Sequence, residues 1–508
     1  MDSERDDDDG EIAYGTGPGR WVLAIAVLGS GIVFLDGTVV NVALPRIGED
    51  FDAQTSSLQW ILNGYMLTLA SLILLGGSLG DRHGRRLIFV VGVLWFTAAS
   101  LLCAIAPSAN ALIVARLLQG VGGALLTPGS LAMIEASFRR EDRARAIGAW
   151  SGLGGVATAL GPLLGGWLVE AVSWRAIFLI NVPIGAFVAL MATRHVPETR
   201  DPNAPERLDG IGAVLAAVGL GGTTYALIEA PDAGFTPAIA VAAIAGVAAL
   251  IAFIVQERRS AHPMMPLGLF SSRQFSAANA VTFVVYAALS GVFFLLVAFL
   301  QIAAGYSPIA AGAASLPVTA LMLLFSARAG ALAQRIGARV PLTVGPLVIA
   351  VGMVMMGRID PDGDYVTSVL PSVIVFGIGL TLVVAPVTAT VLAAAETRYS
   401  GIASGINNAV SRVGGLLAVA VLPLIAGLTG DSFYDPAAMT DGFRTAMYVT
   451  AGLSALGGVI AWLTIDSQVL ERAEPPSEEV APDFACDVCG PKVLPSHREE
   501  EPVAVGSE

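Results

Sequence analysis

A helix that crosses the hydrocarbon core of a bilayer needs about 20 mainly apolar residues. This chain carries fourteen runs of that kind, at 21–44, 57–79, 87–106, 110–134, 146–169, 175–193, 210–228, 236–256, 276–302, 308–327, 340–357, 366–392, 400–428 and 443–465. No other feature restricts its fold so strongly. Of the 508 residues, 14% are charged, where a soluble domain is nearer a quarter charged, and the mean hydropathy is +0.72. Glycine and proline inside the runs do not demote them, because neighbouring helices satisfy the backbone groups they free. The net charge of −13 sits mostly in the tails, so nucleic acid is not an expected partner. The acidic start, "MDSERDDDDGE", has neither a basic n-region nor a small-residue cleavage site, so the first run is expected to remain as a span. The chain reads as an all-α integral membrane protein.

Arginine placement gives the direction of the spans. With the N-terminus inside, the loops at 80–86, 135–145, 194–209, 257–275, 328–339 and 393–399 face the cytoplasm and hold seventeen arginines. The opposite loops hold four: Arg46, Arg175, Arg358 and Arg444. That is the positive-inside pattern, and a miscounted helix would scramble it downstream. Both termini are therefore expected in the cytoplasm, with the chain in the cell (plasma or inner) membrane.

A repeat lies in the loops. "GSLGDRHGRR" at Gly77 to Arg86 is echoed 253 residues later by "GALAQRIGAR" at Gly330 to Arg339, both following G-x-L-x-x-R-x-G-x-R. Six helices from residue 21 then match six from residue 276, in the same orientation. The expected organisation is an acidic cytoplasmic tail at 1–20, a six-helix half at 21–193, an inserted helix pair at 210–256, a second half at 276–465 and a disordered cytoplasmic tail at 466–508. That last tail is rich in Pro, Glu and Ser. Its Cys486 and Cys489 form a CxxC near His497, too few ligands for an expected zinc site. Cys103 lies in an apolar run and reads as core.

Five stretches in order carry a family resemblance: "LDGTVVNVALPRI" (35–47), "LQWILNGYMLTLASLILLGGSLGDRHGRR" (58–86), "ARLLQGVGGALLTPGS" (115–130), "LGPLLGGWLVEAVSWRAIFLINVPIG" (160–185) and "FFLLVAFLQIAAGYSPIAAGAASLP" (293–317). The chain resembles the fourteen-span drug:proton antiporters (the EmrB/QacA type) of the major facilitator superfamily, from residue 21 to about 465. The resemblance implies a major facilitator fold and export of hydrophobic or amphipathic small molecules, driven by a proton gradient and without a bound cofactor. It also implies that the Gly-Pro-Gly-Gly set Gly161, Pro162, Gly165 and Gly166 belongs to exporters rather than importers. A sliding seam between halves and ordinary small-residue helix packing are both compatible with that set. In the first loop, Gly77, Asp81, Arg82, Gly84, Arg85, Arg86 and Glu135 are implied as a conformational latch. There Arg85 would reach Glu135 and hold the outward-open state, while Asp81 can cap the following helix.

Charges inside the membrane narrow the chemistry, because burying one costs about 2.5–3.5 kcal/mol on insertion scales. All four histidines lie in loops or the tail, and only Asp36 among the acids lies well inside a run. If protons are used, Asp36 is the carrier by elimination. Arg116 stands at similar depth, about 9–12 Å below the outer surface. Proton coupling and a static ion pair between helices both remain open for this pair. Arg412 lies near mid-depth with no acid at matching depth in its half. It can face backbone carbonyls, pair across with Asp36, or bind an anionic part of a substrate. Relatives with an extra acid in the tenth or thirteenth helix suit dicationic drugs, and 308–327 and 400–428 contain none.

Polar and aromatic positions inside the runs form a candidate substrate surface: Asn41, Gln59, Asn63, Tyr65, Gln119, Asn181, Tyr286, Gln301, Asn407, Asn408 and Arg412. Each could instead be a helix–helix hydrogen bond. No nucleotide-binding loop is present, so ATP is not the expected energy source. The leading reading is a monomeric, proton-coupled multidrug or antibiotic exporter and not an enzyme. Its alternatives are a dedicated exporter of one endogenous metabolite or self-made antibiotic, and a non-transporting membrane sensor.

Overall fold

The computed structural model describes residues 12–202, 208–234, 236–396 and 399–470. The tail carrying Cys486, Cys489 and His497 lies outside the described residues, as does the acidic stretch at 1–11. The described residues contain fourteen helices long and apolar enough to cross a membrane. In chain order they are α1 (Gly17–Phe51), α2 (Thr55–His83), α3 (Arg85–Ala104), α4 (Ala109–Ser137), α5 (Arg140–Ala171), α6 (Ala176–His195), α7 (Gly210–Ala233), α8 (Pro237–Arg259), α9 (Arg273–Ile302), α10 (Pro308–Ile336), α11 (Arg339–Met356), α12 (Tyr365–Ala393), α13 (Ser400–Ala426) and α14 (Pro436–Thr464). Most run several residues past the apolar stretches, because the helices continue into the interfacial layer.

Local chemistry sets where the helices begin and end. Thr16, Ser108, Asp209, Thr236, Ser272, Ser307 and Asp435 each accept a backbone N–H in the first turn of the following helix. Asp52, in the left-handed region at φ 48°, closes α1 and lets α2 begin three residues later. Gly84 (φ 121°) and Gly337 (φ 83°), the matching glycines of the repeated loop, end α2 and α10 in conformations that a side chain resists.

In the first half α4 packs on α2 and α3, and α1 on α5; in the second α11 packs on α12 and α14, and α9 on α13 and α14. The halves meet along α2 against α13 and α5 against α10. The pair α7–α8 attaches through α7, which contacts α2 and α13, while α8 leaves Val241, Ile244 and Ile251 exposed. Trp60 on α2 donates to Glu229 on α7 at 2.9 Å and tethers the pair.

Among the described residues, the hydrogen bonds between the two halves lie toward the face opposite the chain termini. Thr55 Oγ1 donates to the Gly430 carbonyl at 2.8 Å, Gln59 to Val419 at 2.7 Å, and Tyr434 to Ala53 at 2.9 Å. Gln301 donates to Val42 at 3.0 Å, and Glu170 accepts from the Ile309 N–H at 3.2 Å. Burial, with the carboxylates of Glu49, Asp52 and Asp431 near it, pushes the Tyr434 phenol up to about 12, so it remains a donor at ordinary pH. A depression of ≈ 840 Å³ opens on this face, lined by Glu49, Glu170, Gln301 and Tyr434 among others. The bundle is thus fastened at the face opposite the termini.

Candidate functional site

Asp36 on α1 and Arg116 on α4 form an ion pair with 0% and 1% of their side chains exposed. Both carboxylate oxygens are occupied. Arg116 Nη1 donates to Oδ2, while the Gln119 amide donates to Oδ1 at 2.9 Å and the Asn181 amide to the same oxygen at 3.4 Å. Arg116 is held as fully: its Nε donates to the Ile61 carbonyl at 3.0 Å and Nη1 to Gln119 Oε1 at 2.6 Å. The Tyr65 ring lies 4.3 Å from its guanidinium carbon and Phe178 lies 5.7 Å away. Ser100 on α3 accepts from both amides, at 2.8 Å from Gln119 and 3.3 Å from Asn181. Sequence reading missed Ser100; a hydroxyl in the apolar run of α3, which also holds Thr97, was its only signal. Five helices thus enclose this ion pair in a sealed, low-dielectric pocket, where a proton arriving on Asp36 would remove the counter-charge of Arg116.

The candidate substrate residues separate by location. Gln119 and Asn181 are fully buried and serve the Asp36 network, so they do not line an open cavity. Gln59 and Gln301 are spent on carbonyls across the boundary between halves. Asn63 is fully buried, and neither its side-chain oxygen nor its nitrogen has a hydrogen-bond partner. Asn41 bonds weakly to its own helix at Gly37, 3.4 Å away. Asn407 donates to Thr282 at 2.8 Å and Asn279 at 3.2 Å, fastening α13 to α9. Arg412 bonds through Nε to the Asn408 side chain at 2.9 Å and forms no ion pair with Asp36, whose oxygens are already taken.

The Gly-Pro-Gly-Gly set on α5 faces two ways. A side chain at Gly161 would collide with Thr38 and one at Gly165 with Val39, both on α1 within the first half. At Gly166 a Cβ would stand 2.6 Å from Ile309 Cα, and Gly312 lies against the Pro162 carbonyl, both contacts reaching across to α10. One face of the motif packs the half together and the other meets the opposite half backbone to backbone.

The "GSLGDRHGRR" loop is held differently from expectation. Asp81 does not cap α3; its carboxylate pairs with Arg85 Nε at 3.0 Å. The first turn of α3 is instead capped by Glu198, which accepts the Arg86 N–H at 3.1 Å and the Leu87 N–H at 3.2 Å. The cause is the chain after α6, which returns to the loop: Arg85 N–H donates to the Thr199 carbonyl at 2.9 Å, and Arg86 Nη1 to Val196 at 3.0 Å. Glu198 was missed because nothing in sequence spacing brings residue 198 to residue 86. Among the described residues no hydrogen bond or ion pair joins Arg85 to Glu135 at the end of α4, although the guanidinium is near enough to act on that carboxyl electrostatically. Arg82 is exposed, and Gly77 lies 3.6 Å (measured from a built Cβ) from Pro128 on α4. The second loop repeats the clasp: Arg339 Nε donates to the Trp462 carbonyl at 2.8 Å, and Gly337 lies against the Ser467 backbone.

Comparison with known proteins places this geometry in context. The sequence model of the Major Facilitator Superfamily matches residues 26–419. The chain is 35% identical over 482 residues to the puromycin resistance protein pur8 of Streptomyces alboniger, covering 92% of this chain and 96% of that one. It is 37% identical over 397 residues to the multidrug resistance protein Stp of Mycobacterium tuberculosis, covering 78% and 73%. In fold it is similar, with a TM-score of 0.64 at 19% identity, to a bacterial homolog of the human lysosomal transporter Spinster in an inward-facing, unoccupied conformation, over 91% of this chain and all of that one.

Proposed function

Because the chain belongs to the Major Facilitator Superfamily, we propose that this multi-pass membrane protein is a proton-coupled antiporter that exports hydrophobic or amphipathic small molecules, antibiotics among them. Both termini lie in the cytoplasm, and the fastened face is the outer one. The energy source is the proton gradient, with no cofactor. Relatives named for resistance to puromycin and to multiple drugs support export as the direction of transport.

The observation that carries the coupling is the sealed Asp36–Arg116 pair. In the outer-closed state the carboxylate is paired with a guanidinium and two amides, and its side chain is fully buried. Opening toward the outside lets a proton reach Asp36. Protonation then leaves Arg116 without its counter-charge in a low-dielectric pocket, a costly state that the protein relieves by rearranging α1 against α4. Return to the inward-facing state releases the proton and restores the pair. Efflux into inverted vesicles under an imposed pH gradient tests this: wild type concentrates substrate and Asp36→Asn only equilibrates it. Uphill transport by the variant would reject Asp36 as the carrier.

A further inference from the structure

Two arginines stand deep in the bundle and are treated in opposite ways. Arg116 is sealed and neutralised by a carboxylate. Arg412 on α13 has no carboxylate within ion-pair distance among the described residues, and its side chain donates through Nε to Asn408 at 2.9 Å. Its side chain is only partly buried, although it stands near mid-depth in its helix. Tyr286 on α9 is likewise partly exposed, and the Tyr65 and Tyr286 phenols stand near enough to interact with the guanidinium electrostatically. A neutral amide and nearby neutral phenols do not cancel the charge. A bare cation held at membrane depth is expensive unless something compensates it. An uncompensated positive charge between low-dielectric walls concentrates anions.

We propose that Arg412 is the anion-recognition residue of the transport cavity and that the substrates include amphipathic organic acids, aromatic rings bearing a carboxylate or ionised phenol. The proposal rests on the exporter reading above. The planar guanidinium presents its terminal nitrogens as a fork that matches a carboxylate, while the partly exposed Tyr286 offers a ring to an aromatic body. Tyr65 also stacks on Arg116, so one side chain borders both the ionised pair and the anion site. A negatively charged substrate moves outward with the membrane potential, so its export draws on both components of the proton gradient.

The test uses two xanthene dyes of similar ring and opposite charge, fluorescein and rhodamine 123, with the full-length protein in nanodiscs and in inverted vesicles. Arg412→Gln is expected to weaken equilibrium binding of fluorescein by about ten-fold or more, the usual scale of a lost charge-assisted hydrogen bond, while rhodamine binding changes less than about two-fold. Arg412→Lys should recover part of the fluorescein affinity. Asn408→Asp keeps the side-chain size and places a carboxylate beside Arg412 Nε, so it should weaken fluorescein binding even if Arg412→Gln does not fold. Equal loss of both dyes, or Asn408→Asp leaving fluorescein binding intact, overturns the proposal. Binding is read without a gradient, so a failure of proton coupling, seen as uphill transport by Asp36→Asn, is recorded separately.

Discussion

Gly166 on α5 and Ile309 on α10 meet across the boundary between the halves with no space for a side chain: a Cβ at Gly166 would stand 2.5 Å from the Pro308 carbonyl oxygen and 2.6 Å from Ile309 Cα. Closure at this face therefore depends on backbone touching backbone. Gly166→Val should cost the closed state about 1–3 kcal/mol, shifting the closed-to-open ratio by roughly 5- to 150-fold. Asn41→Cys, beneath the Gln301–Val42 contact, reports the change with Cys486 and Cys489 replaced by serine. A membrane-impermeant maleimide should label it from the outer face faster in the Gly166→Val background. Gly155→Val is the control, since nothing lies within 4 Å of a Cβ there. Equal labelling in both backgrounds would reduce the motif to packing within one half.

The Asp36–Arg116 pair yields a prediction that separates coupling from architecture. Asp36→Asn leaves a buried guanidinium unpaired and should destabilise the protein by about 3–5 kcal/mol, whereas removing both charges together is close to neutral. The double variant Asp36→Asn/Arg116→Gln should thus regain most of the lost thermal stability and none of the uphill transport. Recovery of transport along with stability would make the pair a static strut.

How far the sequence revealed this site depends on the range of each interaction. The charges at 36 and 116 were legible because charge in an apolar run is rare and membrane depth follows from counting residues along a helix. The partners of Asp36 were not: Gln119 and Asn181 looked like cavity residues, and only the packing of α4 and α6 against α1 brings them to the carboxylate. Glycines that end α2 and α10 were visible in the repeat, since a tight turn is a local demand. Glu198 was invisible because its 112-residue reach to Arg86 comes from tertiary return of the chain after α6.

That return of the chain makes Glu198 a test of what holds the loop. Glu198→Ala removes the acceptor of two first-turn N–H groups of α3 and should cost about 0.5–2 kcal/mol, the usual value of a lost helix cap. Glu198→Gln retains an acceptor oxygen and should lose less. Limited proteolysis within 196–209 should accelerate in the order wild type, Glu198→Gln, Glu198→Ala. If Asp81→Asn exposes this segment more than Glu198→Ala, the Asp81–Arg85 pair rather than the cap fastens the loop.

Asn63 carries the last prediction. It is fully buried on α2 with both side-chain polar atoms unpartnered, one turn from Gln59, which is tied to Val419, and one turn from Leu67, which packs with Leu416. A buried amide with no protein partner costs about 1–3 kcal/mol, and the cost falls on the closed arrangement of α2 against α13. Movement of α2 relative to α13 relieves it, so the unpaired amide biases the protein toward opening. Asn63→Leu, similar in volume and without polar atoms, should stabilise the closed state: thermal stability rises while transport turnover falls several-fold. The two readouts must move in opposite directions. A variant that loses both stability and turnover would show that Asn63 supports the closed interface and stores nothing against it.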